Sequence, residues 1–284
     1  MWIHQTAFIG QIARYCVPSG EHEIHTLIRV LIRIHRVQCH GFIYTYEGSR
    51  VFPSAHPHRA LIVLAKAPAA GVTKTRLCPH LTPEEAAQFA VASLVDTLAV
   101  ARSVKGCMLL LAHPPGAEEP LAALLGGDLP PTFAVPPGDV GAAMCSAIRC
   151  ALDHGAAQVA LIGSDLPSLP PAHIGYAFAR LDDGADVVLG PAEDGGYYLI
   201  AATAPHPALF AGIAWSTAAV YAQTVAKAEA SGLALATIPP WYDIDGMADL
   251  RRCARDLAAH PDHPATATRA FLATMTARLD VQEL

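Results

Sequence analysis

Four short polar segments gather the side chains that could bind phosphate, hold a cation or move a proton. The first, at 66–77, sets Lys66, Lys74 and Arg76 around the turn residue Gly71. Such a loop can hold a diphosphate through its charges and backbone N–H groups, or be no more than a solvated basic loop. Lys74-Thr75 lacks the glycine pair of a P-loop, and the segment is no dinucleotide fingerprint either. The second is Gly163-Ser164-Asp165-Leu166-Pro167, where Asp165 can offer oxygen to Mg²⁺ or Mn²⁺ or simply start a turn. The third, Glu193-Asp194-Gly195-Gly196, can place a carboxylate beside a closely approached ligand, or be an Asp-Gly turn between strands. In the fourth, Trp241-Tyr242-Asp243-Ile244-Asp245, alternation puts Asp243 and Asp245 on one side, where they can share a cation; alternatively Asp245 caps the next helix. Ser216 and Thr217 open a further helix, with Ser216 a possible cap.

Each acidic or basic segment follows a short apolar run, as loops at the ends of buried strands would. Leu61–Ala65, Cys107–Ala112, Val159–Ile162 and Asp186–Leu189 read as strands buried on both faces. A short strand is expected near Phe133, and others at Tyr197–Ala201 and Leu233–Ile238. Between them come helices at 81–102, 140–154, 171–181 and 217–230, with two more at 247–259 and 265–278. Thr82, Pro83 and Glu85 spell a capping box with proline in the first turn. Strand–helix alternation implies an α/β fold with a mainly parallel sheet covered on both faces, whose ligands bind beyond the carboxyl ends of the strands.

With 284 residues, 52% hydrophobic and 15% charged, the chain can bury a large core. A net charge of −6 argues against a general nucleic-acid or anionic-membrane binder. No apolar run is long enough for a membrane span. Seven cysteines without a CxxC pair fit reduced thiols in a cytoplasmic protein better than disulfides or zinc. Residues 1–58 stand apart, with 7 of the 14 histidines, no lysine and no aspartate. They read either as an appended subdomain or, preferably, as a stretch outside the natural fold, leaving 59–284 as one domain. Histidines after residue 58 show no metal-ligand spacing.

In their order, Lys-x-Pro-x-x-Gly-x-x-Lys-Thr-Arg-Leu at 66–77, Gly-Ser-Asp-x-Pro-Ser-Leu-Pro at 163–170, Leu-Gly-Pro-Ala-x-Asp-Gly-Gly-Tyr-Tyr-Leu at 189–199, Trp-Ser-Thr at 215–217 and Asp-Ile-Asp at 243–245 resemble the DUF2064, or selenodomain-associated, GT-A-fold glycosyltransferases. Some members of that family are assigned to arsenosugar biosynthesis, and it is related to the guanylyltransferases of the nucleotidyltransferase superfamily. The likeness covers about residues 60–260. It implies a GT-A fold and a sugar transfer from a nucleotide-diphosphate donor to a small-molecule acceptor. It further implies a divalent ion, Mg²⁺ or Mn²⁺, at Asp165, completed by Asp243 or Asp245. In that reading Lys74 and Arg76, with Lys66, contact phosphate, with Gly71, Ser164, Gly195, Gly196, Ser216 and Thr217 lining the substrate site. Asp194 orients the sugar or takes the acceptor's proton, and Asp139 and Gly141 lie near base or ribose. Nucleotidyl transfer to a phosphorylated small molecule is the nearest alternative, and nucleotide binding without catalysis a second. The chain departs from the family at Ala143, where an arginine is usual; losing a charge-assisted contact there would cost about 1.5–3 kcal/mol. It departs again at Gly246-Met247, where Thr-Pro is usual and the helix start is expected to weaken.

Overall fold

The computed structural model describes residues 58–275 and, in the N-terminal stretch, the strands β1 (Arg36–Cys39) and β2 (Phe42–Thr45). The chain divides into two compact units, residues 1–49 and 50–284. Within the first, β1 and β2 pair antiparallel as a hairpin, Arg36 opposite Thr45. The expectation that residues 1–58 stand outside the natural fold concerns positions that otherwise lie outside the described residues.

The second unit is built on seven strands: β3 (Arg59–Leu64), β4 (Met108–His113), β5 (Thr132–Ala134), β6 (Gln158–Ile162), β7 (Val187–Pro191), β8 (Tyr197–Ala202) and β9 (Leu235–Thr237). They lie side by side in the order β5-β4-β3-β6-β8-β7-β9. All run parallel except β8, which is antiparallel to both β6 and β7. The helices are α1 (Pro83–Ser103), α2 (Glu118–Leu124), α3 (Val140–Asp153), α4 (Pro171–Asp182), α5 (Val220–Ala230), α6 (Met247–Ala259) and α7 (Thr266–Thr274).

Strand alternation sorts the apolar residues into two layers. Ala60 and Ile62 of β3 face one way, packing with Met144, Ala147 and Ile148 of α3. Leu61 and Val63 face the other, packing with Leu94 and Leu98 of α1 and Phe178 of α4. Because both faces are covered, the strands read as continuous apolar runs. A third cluster, around Leu77, Phe89, Ile244, Leu250 and Leu272, fastens α6 and α7 beside α1. The capping box forms as expected: Thr82 Oγ1 accepts from Glu85 N, and Glu85 Oε2 accepts from Thr82 N at 2.8 Å.

Two expectations need correction. The Pro/Gly-rich stretch after β4 contains α2, a short helix anchored by the buried Leu121. Helix α5 starts at Val220 rather than 217, because Ser216 takes a left-handed backbone with φ 63° and breaks the turn.

Asp96, in the middle of α1, is fully buried, yet its carboxylate accepts from the backbone N–H groups of Ala267, at 3.1 Å, and Thr268. It satisfies the first turn of α7 from a distance, binding the C-terminal helix to the sheet layer. Asp96→Ala is expected to lower the unfolding free energy by about 2–3 kcal/mol. The reading is a lower urea midpoint at unchanged slope.

Candidate active site

Strand order reverses between β3 and β6, and a cleft of about 960 Å³ opens beyond the carboxyl ends of these two neighbours. That is where an open α/β sheet binds its ligands. The loop after β3 forms one lip, bringing Lys66, Lys74 and Arg76; the loop after β6 brings Ser164 and Asp165. Asp194 and Gly196 come from the β7–β8 turn, Ser216 and Thr217 from the segment before α5, and Asp245 from the segment before α6. Asp139 and Ala143 complete the rim from the start of α3.

A part-buried ion pair in the cleft joins the first two loops. Lys74 Nζ lies 2.7 Å from Asp165 Oδ2 and 3.6 Å from Asp245 Oδ1. Arg76 pairs with the other oxygen of Asp245. Lys74 takes a left-handed backbone, φ 53°, and its side chain is only 10% exposed. Burial works to lower its pKa, but Asp165, Asp245 and Asp243 outweigh that and hold it above the ordinary lysine value. Asp243 is half-buried, and burial together with the carboxylates of Asp165, Asp245 and Asp194 pushes its carboxyl up to about 6. Four carboxylates therefore share one field, and two cations partly offset it.

Among the described residues, no three His, Cys, Asp or Glu side chains are gathered closely enough to hold a metal ion. Between Asp165 and Asp245, expected with Asp243 as the alternatives for completing a cation site, stands the Lys74 ammonium. The donors themselves are all carboxylate oxygens, the chemistry that suits Mg²⁺ or Mn²⁺.

Several expected ligand-binding residues turn out to do structural work. Gly141 is buried beneath an indole: a Cβ there would come within 2.2 Å of the Trp215 ring. Gly195, at φ 91°, lies against the backbone of Ala218, where a Cβ would approach the carbonyl oxygen to 2.3 Å. Gly71, at φ 74°, is an exposed turn with open space around it and no place on the cleft wall. Asp139 lines the cleft but spends Oδ1 on capping α3, accepting from Ala142 N at 2.8 Å. Asp194 Oδ1 likewise accepts from Gly196 N at 2.8 Å, in an exposed turn at the cleft lining. Asp245 is no cap. Gly246 precedes α6, and Asp249 accepts from Asp245 N and Gly246 N, so the helix start expected to be weak is well bonded.

The residues that fix the acidic loops went unnoticed in the sequence. Thr97, fully buried in α1, accepts from Leu166 N at 3.1 Å and lies 3.3 Å from the Ser164 carbonyl, gripping the loop on both sides of Asp165. Ser168 Oγ donates to Tyr242 Oη at 3.1 Å, and Tyr242 Oη donates to Asp256 at 2.6 Å, tying the Asp165 loop to the segment that carries Asp243. Arg252 stacks over the Tyr242 ring at 4.0 Å and pairs with Glu193 at 2.7 Å, adding the Asp194 turn to the same network. Nothing in the sequence pattern marks Thr97, which sits among the apolar positions of α1; Tyr242 and Glu193 at least adjoin the acids they support.

Fold and cleft together define a nucleotide-diphospho-sugar transferase-like protein. A structure from Desulfovibrio desulfuricans G20, provisionally assigned as a nucleotide-diphospho-sugar transferase, matches 78% of this chain and 97% of its own at 30% identity and a TM-score of 0.72. Residues 97–217 match the model of a family described as an uncharacterized protein conserved in bacteria, DUF2064, and the chain belongs to that family. A phosphoenolpyruvate guanylyltransferase of Nocardia farcinica is 30% identical over 137 residues, 47% of this chain and 59% of that enzyme. No helix among the described residues is long and apolar enough to cross a membrane.

Removing the Thr97 hydroxyl tests the grip on the Asp165 loop. Thr97→Val leaves the buried Leu166 N–H without its acceptor and is expected to cost about 1–3 kcal/mol of stability in urea unfolding. Thr97→Ser, which keeps the oxygen, is expected to recover most of that loss.

Proposed function

We propose that the protein transfers a glycosyl group from a nucleotide-diphosphate donor to a small-molecule acceptor, with Mg²⁺ or Mn²⁺. The observation that carries this reading is the pairing of charge at the cleft. Every cation lining it belongs to the loop at 66–77, and Lys74 and Arg76 are held by the carboxylates of Asp165 and Asp245. A diphosphate can take over the donors of Lys74 and Arg76 as a divalent ion takes over the carboxylates.

Asp165, with Asp243 or Asp245, would hold the divalent ion, which supplies charge neutralisation for the departing diphosphate. The carboxylate oxygens suit it, and Asp243, raised by burial and then by the neighbouring carboxylates, sits where a further cation would offset the acids. Lys74 exchanges Asp165 for a phosphate oxygen when donor arrives. Asp194 accepts the proton of the attacking hydroxyl. The acceptor oxygen forms its bond to the anomeric carbon as the bond from that carbon to the diphosphate oxygen breaks, and the electron pair leaves with the nucleoside diphosphate.

Nucleotidyl transfer is the second reading, supported by the likeness to the guanylyltransferase. The same loop and acids would serve it. Against it stands the first loop, which offers Gly71 alone where a turn wrapped around a triphosphate needs several close backbone approaches.

Calorimetry with UDP-, GDP-, ADP- and CDP-linked sugars and with the corresponding nucleoside triphosphates, with and without Mg²⁺ or Mn²⁺, decides between them. One diphosphate donor is expected to bind in the presence of metal, and Asp165→Ala to abolish the metal dependence. Arg76→Ala, at a side chain 75% exposed and therefore harmless to the fold, is expected to weaken that donor about 10-fold or more. Binding of nucleoside triphosphates alone would put nucleotidyl transfer first.

A further inference from the structure

The cleft has a second wall that the phosphate-binding reading leaves unused. It is formed by Val140, Ala143 and Met144 on the first turns of α3, by Tyr197 at the start of β8, and by Trp215 and Val220 ahead of and within α5. None of these side chains is charged; the cations of the lining, Lys66, Lys74 and Arg76, all belong to the loop after β3. The indole of Trp215 is fixed in place: it lies on Gly141, where no larger residue fits, and meets the Tyr197 ring edge-on at 6.4 Å. Val140, at the mouth, is 45% exposed, an apolar residue with no protein partner covering it.

This wall belongs to the Asp194 side of the cleft. Gly195 packs against Ala218, and its carbonyl accepts from Tyr221 N at 2.8 Å, so the Asp194 turn and the segment from Trp215 to Tyr221 are one unit. A molecule lying on Trp215 therefore lies beside the turn that carries Asp194.

We propose that this wall is the acceptor subsite and that the acceptor is an uncharged alcohol with an apolar body. The inference rests on the transferase reading above and narrows its substrate. Charge decides the class. A phosphorylated or carboxylated acceptor placed here would meet no cation on its own wall, and it would face the carboxylates of Asp139, Asp165 and Asp194. Burying an anion without a partner is costly, and like charges add to the cost. A neutral molecule meets neither penalty, buries its apolar surface on Trp215 and Met144, and keeps its hydroxyl for Asp194.

A matched pair of probes tests this: 2-phenylethanol and its phosphate ester, followed by saturation-transfer NMR, with and without nucleoside diphosphate and Mg²⁺. The alcohol is expected to bind wild type at least 10-fold more tightly than the ester. Trp215→Ala is expected to weaken the alcohol by a similar factor, and Trp215→Phe to restore most of it, with circular dichroism confirming that both variants fold. Ala143→Arg, at a half-buried rim position, leaves Trp215 intact and is expected to reverse the preference toward the ester. Equal or tighter binding of the ester to wild type would overturn the proposal. So would alcohol binding that ignores both Trp215→Ala and Ala143→Arg, or alcohol displaced competitively by nucleoside diphosphate, which would assign the wall to the base. If nucleoside diphosphates bind and the alcohol does not, the subsite falls and the donor reading stands. If the alcohol binds through Trp215 and no nucleotide binds, the donor reading falls and the wall remains an apolar ligand site.

Discussion

The ion pair between Lys74 and Asp165 is the contact on which the cleft depends. It joins residues 91 positions apart, at 2.7 Å, and it exists only because β6 pairs directly with β3. Parallel neighbours end at the same edge of the sheet, so the loops that follow them must meet there. Removing an ammonium from water is expensive, and burial does pull the Lys74 pKa down; three surrounding aspartates reverse the sign. The lysine is thus a charged group whose present partner can be exchanged for another anion. Its left-handed backbone adds to this, since a non-glycine residue in that region holds strain that other contacts must sustain.

Opposing this pair is the mutual repulsion of the acids, and the fold resists it with neutral and cationic props placed behind them. Thr97 holds the backbone on either side of Asp165, Tyr242 links Ser168 to Asp256, and Arg252 joins Glu193 to the face of Tyr242. Three separate loops are fastened to α1 and α6 in this way. Carboxylates that would relax apart on flexible loops stay on one side of the cleft, where burial first and their shared field second raise the carboxyl of Asp243.

The sequence foretold the elements far better than the contacts. β3, β6 and α1 fall close to where apolar runs and caps put them, because buried parallel strands and capped helices are written in local pattern. Asp165, Asp194, Asp245, Lys74 and Arg76 do meet at one cleft, as the ends of alternating strands require. What local pattern could not carry is anything that depends on which strands are neighbours. The insertion of antiparallel β8 between β6 and β7 is one such fact, and it brings the Asp194 turn beside Asp165. Gly141 and Gly195 are others: each leaves room for a distant part of the chain, Trp215 or Ala218, which no local pattern shows. Helix α2 was hidden for a different reason, since Glu118-Glu119-Pro120 reads as a loop until Leu121 finds its pocket in the core.

The acidic balance of the chain and its basic loop are parts of the same design. Four lining carboxylates oppose three lining cations, with Asp243 adding a further acid beneath. An anion entering alone would gain the lysine and arginine but strip them from Asp165 and Asp245, leaving those carboxylates uncompensated in a partly buried site. A cation entering alone would have to displace Lys74 against its attraction to two acids. The two exchanges cost least when they happen together, each arriving charge taking the partner that the other releases. On this reasoning the ion pairs seen across the cleft hold the place of a ligand that brings both signs of charge at once, and selectivity against lone anions follows from electrostatics before any base or sugar is read.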